Sequence, residues 1–141
     1  MVKKVKIVQT KGKKKRSIAR LRVKEGKGSI KINGTPLEIF KPVIFRKIIG
    51  EPILIAKEVL GENFLTNIDI NISASGGGTS GQAYACRTAL GKAFVKWTGS
   101  DALKKRYVEY DRSLIIDDVR VKEPKKCLRK GARAKPTKSY R

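Results

Sequence analysis

The sequence predicts an α+β fold in which four strands combine with several helices, followed by an extended basic C-terminal tail. Three observations support this prediction. Apolar and polar residues alternate in four short segments, which is the period of a strand. Elsewhere apolar residues recur every three to four positions, which is typical of helices packed on a core. The positive charge is concentrated at the two ends of the chain.

Charge is the dominant property of this chain. Its 141 residues include 34 Lys and Arg but only 12 Asp and Glu, which gives a net charge of +22. Residues 1–31 carry +12 and residues 119–141 carry +9, which leaves +1 for residues 32–118. The length fits one domain, so we predict a globular domain over residues 1–118 and a tail over residues 119–141. The expected partner is a polyanion, either a nucleic acid or an anionic membrane.

The composition offers little for catalysis or metal binding. Histidine is absent, which removes the commonest general base and zinc ligand. Cys86 and Cys127 do not form a disulfide framework. Asp117 and Asp118 are adjacent and would point apart, which favours a cap or a surface ion pair over a catalytic pair. We expect no enzyme activity, no cofactor and no metal. Without a spanning apolar run or a signal peptide, the expected location is cytoplasmic.

The first two strands are predicted to carry a basic surface. The first strand covers residues 5–8 and is followed by a basic loop over residues 11–16. The second covers residues 17–24 and alternates its side chains between two environments. Ala19, Leu21 and Val23 are predicted to point inward, while Ile18, Arg20 and Arg22 point outward.

The next segment is predicted to change from strand to helix. A turn over residues 25–28, expected to close a hairpin, leads to a third strand over residues 29–32. Thr35-Pro36-Leu37-Glu38 has the residues of a helix start and predicts a short helix to about residue 40. Residues 43–49 and 52–60 are predicted as two helical pieces, divided by Gly50-Glu51-Pro52. The core residues expected from this segment are Ile44, Phe45, Ile48, Ile53, Leu54 and Val59.

The central stretch, Thr66 to Trp97, is predicted as a strand, a glycine turn and a helix. In residues 66–74 the apolar side chains fall on every second position and face the core. After the glycine turn the period changes to that of a helix. Ser100-Asp101 then caps a last helix over residues 102–110, which has an exposed basic rim. That rim consists of Lys104, Lys105 and Arg106.

The glycine turn, residues 75–81, invites comparison with phosphate-binding loops. Gly76 and Gly81 have the spacing of the two glycines in such a loop, but Gln82 and Ala83 stand where Lys and Ser or Thr are required. This argues against nucleotide hydrolysis. Two compatible interpretations remain. The glycines allow a sharp turn and a close approach to a neighbour, or their amides meet an anion such as a nucleic-acid phosphate.

The segment after Asp118 has almost no apolar periodicity and cannot bury enough surface to fold alone. We predict an arm that becomes ordered on a polyanion, because it can neutralise phosphates while Tyr140 stacks on a base. The alternative is a solubilising tail.

Three segments of the chain resemble one family. They are Gly76-Gly77-Gly78-Thr79-Ser80-Gly81-Gln82-Ala83-Tyr84-Ala85 with Arg87 and Lys92, the start from Lys11 to Ala19, and the ending Lys138-Ser139-Tyr140-Arg141. In this order they resemble small-subunit ribosomal protein nine in its archaeal and eukaryotic form, over essentially the whole length. The ending departs from the bacterial pattern, Ser-Lys-Arg.

This resemblance implies a fold and a function. The fold is a two-layer α/β arrangement in which a four-stranded mixed sheet has its helices on one face and contains a left-handed β-α-β crossover. The function is to bind small-subunit rRNA in the head of the particle, beside neighbouring head proteins, while the tail reaches the anticodon stem-loop of the P-site tRNA. No membrane or small-molecule partner is expected.

The predicted strands offer no row of aromatics, so the expected recognition is of RNA shape and phosphate position, with the helix rims contributing. The competing class, which charge alone does not exclude, is a free-standing nucleic-acid chaperone or DNA-compacting protein. The residues expected to bind rRNA are Lys11, Lys13, Lys14, Lys15, Arg16, Arg20, Arg22, Gly76, Gly77, Gly78, Thr79, Gln82, Arg87, Arg120, Lys125, Lys126, Arg129, Lys130 and Arg133. Those expected to bind tRNA are Lys138, Ser139, Tyr140 and Arg141.

Overall fold

A computed structural model describes residues 6–135 and confirms the α+β class. The strands and helices are β1 (Ile7–Lys14), β2 (Ser17–Glu25), β3 (Ile30–Ile32), β4 (Thr35–Pro36), α1 (Val43–Leu60), β5 (Ile68–Ser75), α2 (Thr79–Thr98) and α3 (Asp101–Tyr110). Short 3-10 turns cover Leu37–Ile39, Glu62–Leu65 and Arg112–Leu114.

The sheet is mixed, as expected, but has five strands and not four. Its order is β1-β2-β5-β3-β4, in which β3 and β5 are parallel and the other neighbours are antiparallel. The extra strand, β4, is the two-residue segment Thr35–Pro36, which pairs with β3. Two residues are too few to show the alternation of polar and apolar side chains that would distinguish a strand from a helix N-cap. The left-handedness of the crossover connection from β3 through α1 to β5 stays a prediction.

The predicted hairpin over residues 25–28 is wrong. β5 lies between β2 and β3, and the hairpin is instead formed by β1 and β2. The segment after β2 is held against β5 by Asp69, whose Oδ1 accepts hydrogen bonds from the amides of Lys27 at 2.9 Å and Ser29 at 3.1 Å. These hydrogen bonds lower the pKa of Asp69. The alternation defined each strand's buried face, but it did not specify the neighbouring strand.

The helices cover one face of the sheet. α2 packs on β1 and β2, and α1 packs on α2 and α3. β2 and β5 bury every second side chain, which leaves their other face exposed. The predicted inward residues of β2, Ala19, Leu21 and Val23, are all buried. α3 begins with the predicted cap, since the Ser100 hydroxyl accepts a hydrogen bond from the Leu103 amide at 3.3 Å.

The two predicted helical pieces of residues 43–60 are one continuous helix, α1, with Pro52 inside it. The Pro52 carbonyl accepts a hydrogen bond from the buried Tyr107 hydroxyl at 2.7 Å, which joins α1 to α3. Continuity also changes which residues are buried, because a single helix has one apolar stripe. That stripe contains Ile49, Pro52, Ile53, Ile55 and Ala56. Of the residues predicted as core, Ile44, Leu54 and Val59 are exposed.

Two further boundaries differ from the predictions. The Thr35-Pro36 cap and short helix are replaced by β4 and a 3-10 turn without a side-chain cap. The predicted basic loop over residues 11–16 is mostly strand, since β1 continues to Lys14. Lys15, with a φ of 55°, and Arg16 alone form the turn to β2. Lysine side chains do not prevent strand pairing, so charge was a poor guide to the end of β1.

Candidate nucleic-acid interface

The exposed face of the sheet carries two rows of polar side chains that run across the strands. In one row, Lys11 of β1 lies opposite Arg20 of β2, which lies opposite Ser73 of β5. In the other, Gln9, Arg22, Asn71 and Lys31 are neighbours across β1, β2, β5 and β3. Both rows border a groove of about 690 Å³. Charges that are far apart in sequence are thus brought onto one surface.

Like charges are placed opposite each other in this face. Lys11 and Arg20 occupy paired positions of adjacent strands, an arrangement that destabilises a sheet through repulsion. Arg20 and Arg22 are exposed, and neither forms an ion pair within residues 6–135. An anion lying along the rows would relieve this repulsion. None of the described strands contains an aromatic residue, so the face offers charge and hydrogen bonds but no stacking surface.

The glycine turn confirms the interpretation of a close approach. Gly76 and Gly77 have φ values of 75° and 62°, in the left-handed region. A Cβ atom on Gly77 would lie 2.1 Å from the Ser17 Oγ, and one on Gly81 would lie 2.5 Å from the same atom. The Ser17 hydroxyl in turn donates a hydrogen bond to the Gly76 carbonyl at 3.0 Å.

The remaining residues predicted to bind RNA at this turn differ in whether they are free to contact a ligand. The side-chain amide of Gln82 donates a hydrogen bond to the Gly76 carbonyl at 3.2 Å and therefore supports the turn from within. Gly78 and Thr79 are exposed at the start of α2. Their contact with RNA stays a prediction.

Arg87 lies inside the fold, which counts against its predicted contact with RNA. Its side chain is 7% exposed. Its Nη1 atom lies 2.8 Å from Asp111 Oδ2 and 2.9 Å from the Ser113 hydroxyl. Its Nε atom lies 2.6 Å from Glu51 Oε2, in an ion pair without hydrogen-bond alignment. Arg87 therefore joins α2 to α1 and to the segment after α3.

The two acids that directly precede the predicted tail, Asp117 and Asp118, bind the β1–β2 hairpin and α2. Asp117 Oδ1 accepts a hydrogen bond from the Lys13 amide at 2.9 Å and lies 2.6 Å from Lys92 Nζ. Asp118 Oδ2 lies 2.7 Å from Arg120 Nη2 and 3.1 Å from Lys14 Nζ. The hydrogen bonds that Arg120 and Lys14 donate to Asp118 hold the pKa of Asp118 well below its ordinary value. The expectation of surface ion pairs is confirmed.

The described part of the tail is not one straight segment. Residues 119–135 form no helix or strand, but the chain turns at Lys126–Arg129, where the Arg129 amide donates to the Lys126 carbonyl at 3.2 Å. Arg133 then reaches back to Glu123, with its Nη2 atom 2.7 Å from Glu123 Oε1. Of the residues predicted to bind rRNA here, all but the half-buried Arg129 are exposed: Arg120, Lys125, Lys126, Lys130 and Arg133. The predicted tRNA-binding residues, Lys138, Ser139, Tyr140 and Arg141, lie outside the described residues.

Sequence reasoning missed Lys31 and Asn71 as candidates for the interface. Asn71 belongs to its row because β5 pairs with β2, and Lys31 joins that row because β3 pairs with β5. The polar alternation of β5 indicated that Asn71 faces away from the core, but a neighbouring cation from β3 could not be inferred without the strand order.

The fold and its surface define a class of protein: a small basic α+β protein with one face covered by helices and one open face suited to a polyanion. No helix within residues 6–135 is long and apolar enough to cross a membrane. Residues 12–141 match the family described as ribosomal protein S9/S16. The chain belongs to this family, which confirms the resemblance found in its motifs.

Curated relatives support the same assignment over nearly the full length. A protein of Methanothrix thermoacetophila named small ribosomal subunit protein uS9 is 49% identical over 137 residues, covering 97% of this chain and all of the relative. The protein of the same name from Methanococcus maripaludis strain C7 is 45% identical over 139 residues, with the same coverage of both chains. These relatives are named as ribosomal proteins and not as enzymes.

Proposed function

We propose that this chain is a structural, non-enzymatic constituent of the small ribosomal subunit, and that it binds rRNA through the open face of its sheet. The observation that carries this proposal is the pair of charged rows on that face. The rows add to the family assignment a specific surface on which RNA can lie. The proposed location is the cytoplasmic ribosome, in the head of the small subunit, beside rRNA and neighbouring proteins.

The rows favour recognition of the RNA backbone. Adjacent strands are about 4.8 Å apart, so Lys11 and Arg20 are separated by one strand spacing and Arg22 and Lys31 by two, distances over which these long side chains can reach neighbouring phosphates. Arg20 and Arg22 supply planar guanidinium groups that can bind a phosphate through two hydrogen bonds. Asn71 and Ser73 offer hydrogen bonds to sugar hydroxyls or phosphates. The exposed hairpin turn, Lys15 and Arg16, extends this surface beyond the sheet.

We also propose that the end of the tail binds the anticodon stem-loop of the P-site tRNA. The support is the family assignment together with the cationic composition of residues 119–141, which we continue to treat as an arm distinct from the domain of residues 1–118. Lys138 and Arg141 would contact phosphates, and Tyr140 would pack on a sugar or base.

Deletion of Lys138 to Arg141 tests the function of the tail. We expect the truncated protein to enter small subunits in normal amounts, because the residues proposed to bind rRNA remain. We expect tRNA binding at the P site to weaken by about a hundredfold, since the two lost phosphate contacts and the lost stacking each contribute on the order of 1 kcal/mol and about 1.4 kcal/mol is tenfold in affinity. The measurement is filter binding of tRNA to purified subunits, together with quantification of the protein in them.

The matched control is the double variant Lys41→Gln/Lys47→Gln. It also removes two positive charges, from exposed positions at and before α1. We expect this control to bind tRNA normally. Equal tRNA affinity for the truncated and intact proteins would refute the proposed role of the tail.

A further inference from the structure

Two acids stand at the base of a strongly cationic arm. Asp117 and Asp118 directly precede residues 119–141, which carry a net charge of +9. Negative charge there weakens the attraction of this region to RNA. Its presence therefore calls for a role other than binding RNA directly.

The contacts of these acids fasten the arm to the outer edge of the sheet. β1 is an edge strand, and Asp118 forms a parallel bridge with Lys14 on its free side. The Asp118 amide donates to the Lys13 carbonyl at 3.0 Å, and the Lys15 amide donates to the Asp118 carbonyl at 2.8 Å. Asp117 adds its contacts to the Lys13 amide and Lys92 described above. Backbone and side chains together therefore hold this point of the chain.

Without the acids, electrostatics would separate the arm from the hairpin. Lys14 and Lys15 of the hairpin line the same groove as Arg120 and Lys122 of the arm. Like charges this close repel each other. Asp118 lies between the two groups, in contact with both Lys14 and Arg120. The acids thus convert a repulsive junction into an attachment.

A fixed base determines where the arm that follows it can reach. The effective concentration of the end of the arm at its target depends on the length of free chain and on the point from which it departs. Release at Asp118 would free the chain back towards Leu114, which is fully buried and marks the next firm anchor. The freed residues would have to be ordered again on binding.

We propose that Asp117 and Asp118 are positioning residues that fix the departure point of the C-terminal arm on β1, and so direct its end to the tRNA. This inference rests on the proposed function of the tail. It assigns the two acids a role in tRNA binding although neither is expected to touch the tRNA.

The test is the double variant Asp117→Asn/Asp118→Asn, incorporated into small subunits with and without the deletion of Lys138 to Arg141. In the intact-tail background we expect P-site tRNA binding to weaken by about threefold to tenfold, because the end of the arm is less often in place. In the truncated background we expect no further effect. The variant loses two negative charges, which raises its net charge by two, so electrostatic attraction alone would strengthen binding and not weaken it.

The control is Glu58→Gln/Glu62→Gln, which makes the same change in charge at exposed positions on the helical side. Its tRNA binding should match that of the original chain. A second variant, Lys92→Gln, removes the partner of Asp117 and lowers the net charge. Lys92→Gln should weaken tRNA binding in the chain with the intact tail and have no further effect in the truncated chain. If the double variant does not fold, Lys92→Gln tests the positioning role in its place.

The outcomes separate this inference from the function on which it rests. If truncation weakens tRNA binding but the Asn variants do not, the positioning role is refuted and the tail function stands. If the Asn variants weaken binding equally with and without the end of the tail, the acids act only through the fold and the inference is again refuted. If truncation itself has no effect, both proposals fail.

Discussion

Replacement of Gly12 by alanine is expected to destabilise the domain by at least about 3 kcal/mol, because there is no space for a methyl group between β1 and α2. A Cβ atom at this position would lie 2.1 Å from the Ala85 carbonyl oxygen and 2.6 Å from the Ala89 amide nitrogen. Both are backbone atoms of a buried helix, so relief requires α2 to move away from the sheet. A loss of this size is a large part of the stability of a small domain. Urea unfolding followed by circular dichroism would measure it.

The matched control for this prediction is Gly50→Ala. Gly50 lies inside α1, and a Cβ atom there has no neighbour within 4 Å. Alanine at this position should stabilise the protein by about 0.5–1 kcal/mol, through its higher helix propensity. A similar free energy of unfolding for the two alanine variants would contradict the packing described for β1 and α2.

The variant Arg87→Gln is expected to lower the free energy of unfolding by about 2 kcal/mol, since it leaves the Glu51 and Asp111 carboxylates without their cation, and their partial exposure (31% and 36%) moderates the loss. Glu51 and Asp111 both contact the Arg87 guanidinium and would then face each other without a cation. The exposed pair of Arg106 and Glu109 provides a control, because Arg106→Gln should cost less than about 0.5 kcal/mol. Equal losses for the two variants would show that Arg87 is not a buried link.

The destabilisation in Arg87→Gln should also depend on pH. Burial raises the pKa of Asp111, but hydrogen bonds from Ser113 and Arg87 and the charge of Arg87 outweigh it, so the pKa is lower than in the unfolded chain. A carboxyl group whose pKa is lower in the folded protein stabilises the fold at pH values above its pKa in the unfolded chain. This contribution is lost as the pH falls through its pKa in the folded protein. The difference in free energy of unfolding between the original chain and Arg87→Gln should therefore become smaller as the pH falls below about 4. A difference that grows in acid would contradict this account of Asp111.

Periodicity predicted which side chains of the strands are buried, but not how the strands are arranged. The alternation in β2 and β5 gave the covered face correctly because it reflects contact with a core, whichever strand lies beside them. The position of β5 between β2 and β3 depends on contacts between distant parts of the chain, which no local pattern encodes. Pro52 illustrates a similar limit, since a proline usually interrupts a helix and tertiary packing here keeps α1 continuous.

Charge patterning predicted the kind of partner better than the individual contacts. The outward face of β2 placed Arg20 and Arg22 correctly, because a strand has only two sides. Composition could not distinguish them from Arg87, which is buried among acids contributed by α1 and by the segment after α3. The attachment made by Asp117 and Asp118 was equally inaccessible, since only the fold brings them to β1.

The most direct test of the proposed function is sedimentation of the protein with the small subunit. Cells would express the tagged original chain, the variant Arg20→Gln/Arg22→Gln, or the control Lys41→Gln/Lys47→Gln, which has the same net charge. After a high-salt wash, we expect the original chain and the control to remain with the small subunit and the Arg20→Gln/Arg22→Gln variant to be largely lost from it. The contradicting result is retention of that variant at the level of the control, or release of all three proteins by salt together with binding to any duplex, as expected of a free nucleic-acid chaperone.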